Sequence, residues 1–344
     1  KPHMFGTYRT ALAILVVAGH LGPVRNVGPY AVFAFYVLSG YLMTAILHKD
    51  YGYSMGGVGR YALNRVLRIF PMYWLALLLS VGLIALLGET GARAYHAEMG
   101  LVLSDADFAR NLLLVLSSST PTRWVPPAWA LTVELFFYAL IGLGLSRWVW
   151  LTLAWLACSV LYTAYLLIGD ASFSYRYFPL AAASLPFATG AAVFHLRAMR
   201  TRRQTWRAPA ELMWGVFAMF TANIALAAAG SPFALGAQFY CNIMLAAGMT
   251  WSLADWRAGQ FRSVDTMLGN LSYPTYLLHY QAGLCVVLLG FSGARGDWAF
   301  FAPSLVLTLG LAWLMSMAID PLFQRSRACI RSGAMQRQPS AGQG

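Results

Sequence analysis

Five ionisable side chains stand inside long apolar stretches of this sequence: Arg9, His20, Glu134, His195 and His279. In hydrocarbon each costs about 2.5 to 3.5 kcal/mol on insertion scales, so each needs a partner or a task. Arg9 and His20 are separated by about 1100 degrees of helical rotation, roughly 20 degrees from whole turns, and by about 16 Å of rise. Both therefore project from one face of a helix. An imidazole can take and return a proton, and a guanidinium can hold an anion. The other reading is that Arg9 reaches back to an interface and His20 satisfies a backbone carbonyl.

A second group is Asn64-Arg65-Val66-Leu67-Arg68-Ile69-Phe70-Pro71. A helical turn puts Arg65 and Arg68 on one side, where two forked guanidinium groups could grip phosphates. Ordinary cationic flanking of a membrane helix explains the same spacing. Glu134 lies early in an apolar run, Trp129-Ala130-Leu131-Thr132-Val133-Glu134-Leu135-Phe136-Phe137-Tyr138. A carboxylate there is either neutral or paired with a cation from another helix, His20 or an arginine, and structural pairing and catalytic orientation both fit. His279 closes the run Gly269-Asn270-Leu271-Ser272-Tyr273-Pro274-Thr275-Tyr276-Leu277-Leu278-His279. His48 and His195 fall near helix ends and suit an interface, while His96 sits in a loop with no special signal. The four cysteines, Cys158, Cys241, Cys285 and Cys329, make neither a metal pattern nor a disulfide framework, and no metal is expected.

The elements that carry these residues must be membrane helices. Of 344 residues 59% are hydrophobic and 10% charged, against roughly 45–50% and 25% in a soluble domain. Disorder and collagen are excluded by the same composition. Spans of roughly 20 apolar residues fall at about residues 7–24, 30–48, 70–88, 128–146, 148–168, 179–197, 211–229, 232–253, 267–290 and 298–318. The fold class expected is thus an all-α polytopic membrane protein of about ten helices, with both termini cytoplasmic. Residues 111–119 are apolar but too short to span and are expected as a re-entrant or surface helix.

With the first helix starting inside, 17 of the 24 basic residues fall on the cytoplasmic side and six outside, with Arg9 left within the first helix. That asymmetry is the positive-inside pattern, and it accounts for the net charge of +12 without nucleic acid. The run 8–24 lacks a basic leader and a cleavage site and is read as a retained helix. Residues 1–3 resemble a cloning remnant, 4–322 one membrane domain, and 323–344 a flexible basic cytoplasmic tail. No internal repeat is evident. Residues 89–127 form the longest outside segment, with Ser117-Ser118-Ser119 and Pro121 as a turn region, and a lid or substrate-facing surface belongs there.

Arg9 with ten residues before His20, Phe35-Tyr36-Val37-Leu38-Ser39-Gly40, the run 65–71, the run 129–138 and Ser272 to His279 occur in an order and spacing that resemble the acyltransferase-3 family of integral membrane acyltransferases. The resemblance covers nearly the whole chain. It implies transfer of an acyl group, most often acetyl from acetyl-CoA, to a hydroxyl of a sugar in a surface or secreted glycan, in the bacterial cytoplasmic (inner) membrane. It places the essential histidine at His20, the first-helix arginine at Arg9, the arginine pair at Arg65 and Arg68, and the glutamate at Glu134. Ser39, Trp129, Tyr138, Ser272, Tyr273 and His279 fall at supporting positions. Two departures stand out: Phe33 where the family often has an acidic residue, and Asp320-Pro321 where it usually has Glu-Pro after the last helix.

On this resemblance the expected partners are the lipid bilayer, acetyl-CoA or another acyl-CoA as donor, and a glycan or lipid-linked saccharide as acceptor. Arg65, Arg68 and Arg9 would hold the CoA phosphates. His20 would remove the acceptor hydroxyl proton, with Glu134 orienting the imidazole. An acyl-histidine intermediate is the rival mechanism. Ser272 is a conceivable nucleophile, or else a helix-starting serine bonded locally. A proton-coupled transporter or flippase, with His20 and Glu134 as a proton relay, is the competing class.

Overall fold

A computed structural model of the chain describes residues 4–101, 103–116, 120–202, 210–256, 259–291 and 293–332. Lys1, Pro2, His3, Ser117, Ser118, Ser119, Arg203, Arg207, Arg257, Arg337 and residues 333–344 of the expected tail lie outside the described residues. Among those described there is helix and no strand. The helices are α1 (Phe5–Leu21), α2 (Val27–Ile46), α3 (Met55–Leu87), α4 (Glu89–Tyr95), α5 (Asp105–Leu113), α6 (Trp129–Gly142) and α7 (Val149–Ile168). They continue with α8 (Phe173–Tyr177), α9 (Ser184–Arg202), α10 (Ala210–Ala228), α11 (Ala237–Asp255), α12 (Arg262–Leu288) and α13 (Trp298–Ser332).

A helix of 14 residues or more falls on every one of the ten apolar stretches. Among the described residues five helical stretches, in α2, α3, α7, α10 and α13, are long and apolar enough to cross a membrane by length and composition. The others are shorter or carry polar residues turned inward. α12 is the clearest case: Ser272, Thr275, His279 and Gln281 on it are all buried in the bundle, where a polar face does not meet lipid. By contrast α7 and α10 turn Trp150, Leu161, Tyr165, Trp214 and Leu226 outward, an apolar surface suited to hydrocarbon.

Two close seams hold the bundle. α1 has no capping side chain of its own at Met4. Asp265 of α12 serves instead, accepting from the Gly6 and Thr7 amides at 3.1 and 2.7 Å and from the Thr7 hydroxyl at 2.8 Å. These amides are among the donors a helix start leaves unpaired, and the carboxylate also suits the positive end of the helix dipole. Gly6 lies against the main chain of Asp265, and a Cβ on Gly269 would come within 2.9 Å of the Gly6 Cα, so no side chain fits at either position. The α2–α9 seam uses the same device, with Gly40 on the Phe187 carbonyl and Gly190 on the Val37 carbonyl.

Several expected boundaries are corrected. α3 starts at Met55 rather than near 70, capped by Ser54, whose hydroxyl accepts from the Gly57 amide at 3.2 Å, so Arg65 and Arg68 lie within the helix rather than before it. α13 runs through Pro321 to Ser332, so residues 323–332 are helix and not flexible tail. The helix near residues 111–119 is instead α5, and its last turn ends at Leu113 before a left-handed Leu114. Phe33, where the family pattern favours an acid, is buried against Tyr177 and Phe239 with ring centroids 5.4 and 4.7 Å away.

Candidate active site

α1, α2, α3, α6, α12 and α13 enclose a cavity of about 950 Å³. It opens at the end of the bundle where α1 begins, called here the near end. Its mouth is basic. Arg65 and Arg68 come from one turn of α3, Arg327 and Arg331 from the end of α13, and Lys49 from the single π-turn Leu47–Tyr51 that closes α2. Asp50 is the one acid among them, 3.9 Å from Arg331. Arg65 donates to Asn64 Oδ1 at 3.0 Å, and Asn64 donates to the Arg327 carbonyl at 3.0 Å, which ties α3 to α13 across the opening.

Further in, the cavity is lined by Arg9, Ser39, Glu134, Tyr138, Ser272 and Tyr273. Glu134 Oε1 accepts from Ser39 at 3.1 Å and Oε2 from Tyr138 at 2.9 Å. The Tyr138 bond is an i,i+4 contact on α6. Each oxygen thus has a donor while the carboxylate faces the cavity. Arg9 stands on the same wall system and makes no hydrogen bond among the described residues, so its guanidinium is available to a ligand. Ser272 donates to the Gly269 carbonyl at 2.9 Å, the local serine bond of the simpler reading, and among the described residues no base accepts its proton. Tyr273 donates to the Ile69 carbonyl at 2.9 Å. Trp129 does not line the cavity; its ring packs on Tyr177 and Phe178 at the start of α6.

At its inner limit the cavity meets Val32, Phe35 and Tyr276. The Tyr276 hydroxyl donates to the Pro127 carbonyl at 2.6 Å, and its own main-chain carbonyl is 2.7 Å from Nδ1 of His279. His279 Nε2 is in turn 2.9 Å from Nδ1 of His20, the two rings nearly parallel with 11° between planes. The group hydrogen-bonded to His20 is therefore His279, and Glu134, expected there, is bonded to Ser39 and Tyr138 instead. Arg9 and His20 share the inward side of α1, one in the cavity and one about three turns beyond it. His195, by contrast, is 3.0 Å from the Ser146 carbonyl and serves packing near the α9 end.

Beyond the histidines the far end is lined by residues of the 89–127 segment and the α12–α13 loop. The His96 ring sits edge-on to Tyr280 at 4.8 Å, and Arg295 lies over Tyr280 and donates to the Tyr95 carbonyl at 3.1 Å. Arg123 pairs with Glu98 at 3.1 Å, and its amide donates to the Glu98 carbonyl at 2.8 Å. Burial, then the Arg295 and Arg123 charges, hold the His96 imidazole down to about 4. Burial raises Glu98, against the pull of Arg123.

Sequence reading names Arg9, Ser39, Arg65, Arg68, Glu134, Tyr138, Ser272 and Tyr273 of the cavity wall but misses Asp50, and it treats Lys49, Arg327 and Arg331 as flanking charge or tail. It also misses Asp265, which lies just before the expected start of its helix. The readable signal was the Ser54 cap for α3 and an acid in the first turn of α12. Among the described residues no group of three or more His, Cys, Asp or Glu could hold a metal.

An acyltransferase-3 family model, described as an acyltransferase domain, matches residues 7–317. Comparison with curated proteins and with solved structures gives no match.

Proposed function

Because the chain belongs to the acyltransferase-3 family of membrane acyltransferases, we propose that it transfers an acyl group, acetyl in the first instance, from acyl-CoA to a hydroxyl of a sugar in a surface or secreted glycan. Ten membrane crossings with both termini cytoplasmic, in a bacterial inner membrane, are part of this reading. They put the near end on the side where acyl-CoA is made. The observation that carries the proposal is the cavity: a basic mouth leading past Arg9 and Glu134 to the residue that holds the histidine pair. A CoA molecule is a polyanion at one end and a thin, neutral pantetheine arm at the other. The cavity has that polarity.

In this mechanism Arg65 and Arg68, with Arg327, Arg331 and Lys49 around them, hold phosphates by charge-assisted hydrogen bonds. Arg9 reaches the donor deeper in. His20 takes the proton of the acceptor hydroxyl as its oxygen attacks the thioester carbonyl, the carbon–sulfur bond then breaks, and the imidazolium returns the proton to the departing thiolate. General base catalysis of this kind contributes about 10² to 10⁴-fold. Glu134 acts on the cavity side, offsetting the charge of Arg9, rather than on His20.

The test is direct: CoA at millimolar concentration should raise the melting temperature of the detergent-solubilised protein, and acetyl-CoA should be consumed in the presence of glycan acceptor. No stabilisation by CoA, together with solute transport in sealed vesicles, overturns the proposal in favour of a transporter.

A further inference from the structure

We propose that His279 is a positioning residue: together with the Tyr276 carbonyl it fixes the tautomer of His20, so that the lone pair available for proton transfer is on His20 Nε2. The inference rests on the reading of His20 as the base.

The argument follows the hydrogen bonds from their fixed end. A main-chain carbonyl can only accept, so the 2.7 Å contact between Tyr276 O and His279 Nδ1 puts a proton on that nitrogen. A neutral imidazole then has its lone pair on Nε2. His279 is 0% exposed, and a second proton on it would bury a charge with no carboxylate bonded to it among the described residues. His279 Nε2 therefore accepts, and the proton in the 2.9 Å contact with His20 belongs to His20 Nδ1. Neutral His20 can then carry its lone pair only on Nε2. The anchor is itself held, since the Tyr276 hydroxyl bonds the Pro127 carbonyl and its ring meets Phe35 edge-on at 6.4 Å.

This arrangement does for His20 what a buried carboxylate does in other base-assisted transfers, with a neutral ring in place of the acid. When Nε2 takes the acceptor proton, His20 becomes an imidazolium whose Nδ1–H already points at the His279 lone pair, so the new charge is shared with a second ring. Tyr280, with 5% exposure, packs against both rings at 5.5 and 4.6 Å, so that His279 is fully buried while His20 stays half-buried. An acyl-histidine, if that route is used, forms on the same nitrogen.

The experiment is nitrogen-15 spectroscopy of histidine-labelled full-length protein in detergent at pH 8, where an ordinary imidazole is neutral, with the His20 signals assigned by H20Q. We expect His20 in the Nδ1–H form, and its reversion to a mixture or to the Nε2–H form in H279A. His20 in the Nε2–H form in the unmodified protein overturns the inference, whatever the variants do. For kinetics, thiol release from acetyl-CoA should fall about 10²-fold in H279A, within the range general base catalysis supplies, with KM for acetyl-CoA unchanged. H279Q, whose amide can accept from His20 and donate to Tyr276, should recover part of the rate. A fall in H279A accompanied by loss of CoA stabilisation and no recovery in H279Q assigns His279 to packing and overturns the inference. Undiminished thiol release in H20A refutes the base reading instead, so the two failures are distinguishable.

Discussion

The two ends of the α1–α12 seam are built from the same helices and differ in nearly every other respect. The near end is open, wide and basic, with arginines from three helices, α1, α3 and α13, facing one cavity. The far end is narrower and aromatic, with two imidazoles in register, Tyr280 packed against both, and Tyr95 and His96 edge-on to Tyr280. Recognition of a large anion tolerates several cations at loosely fixed positions, because charge acts over distance. Proton transfer does not tolerate this, since it needs one nitrogen with one lone pair in hydrogen-bond reach. The closest approach of α1 and α12, through Gly6, Gly269 and Asp265, lies at the near end and sets the register of the two helices that carry His20 and His279 farther along.

This contrast predicts separable losses. The largest belongs to the far end: H20A should reduce acyl transfer by at least about 10²-fold, while thermal stabilisation by CoA is retained. Loss of both together would mean that the two ends are not independent. Next, the double variant R65A/R68A should raise KM for acyl-CoA by about 10 to 100-fold, the worth of one or two hydrogen bonds to a charged group at about 1.5–3 kcal/mol each, and leave kcat within a few-fold. A pure kcat effect would move these residues out of donor binding.

The smallest effect concerns the far-end cover. The His96 imidazole is held at about 4 instead of 6.5, first by burial and then by Arg295 and Arg123. Between these values the unfolded chain binds a proton that the folded chain refuses, so this group contributes stability that is complete above about pH 6.5 and is lost as pH falls toward 4. H96Q should therefore flatten the fall in melting temperature across that window and leave the value at pH 8 little changed. An unaltered slope would show that His96 is not what titrates there.

How much of this was readable in advance depends on how local the signal is. Arg65 and Arg68 could be paired from spacing alone, because a helical turn is a local rule, and both do line one cavity. The ten apolar stretches are likewise visible as composition, and each carries a helix. What stayed hidden were contacts across the chain. His20 and His279 are 259 positions apart, and nothing in either segment says that they meet. Because a buried acid needs a partner, Glu134 is expected to meet His20 or an arginine, and the family resemblance favours His20; its hydrogen bonds come from Ser39 and Tyr138. The end of α13 was misplaced for a different reason. Hydropathy falls after residue 318 and Pro321 usually marks a stop, yet a helix that leaves the apolar layer can continue as a polar wall. Its Arg327 and Arg331 do so at the cavity mouth.

The central claim is that one cavity delivers the donor from the basic mouth to the histidine pair. A structure determined with CoA bound tests it most directly. The account predicts phosphates among Arg65, Arg68 and Arg327, with the pantetheine arm running past Arg9 and Glu134 and the thiol beside Tyr276 and His20. Phosphates placed elsewhere, or a thiol remote from His20, would contradict it.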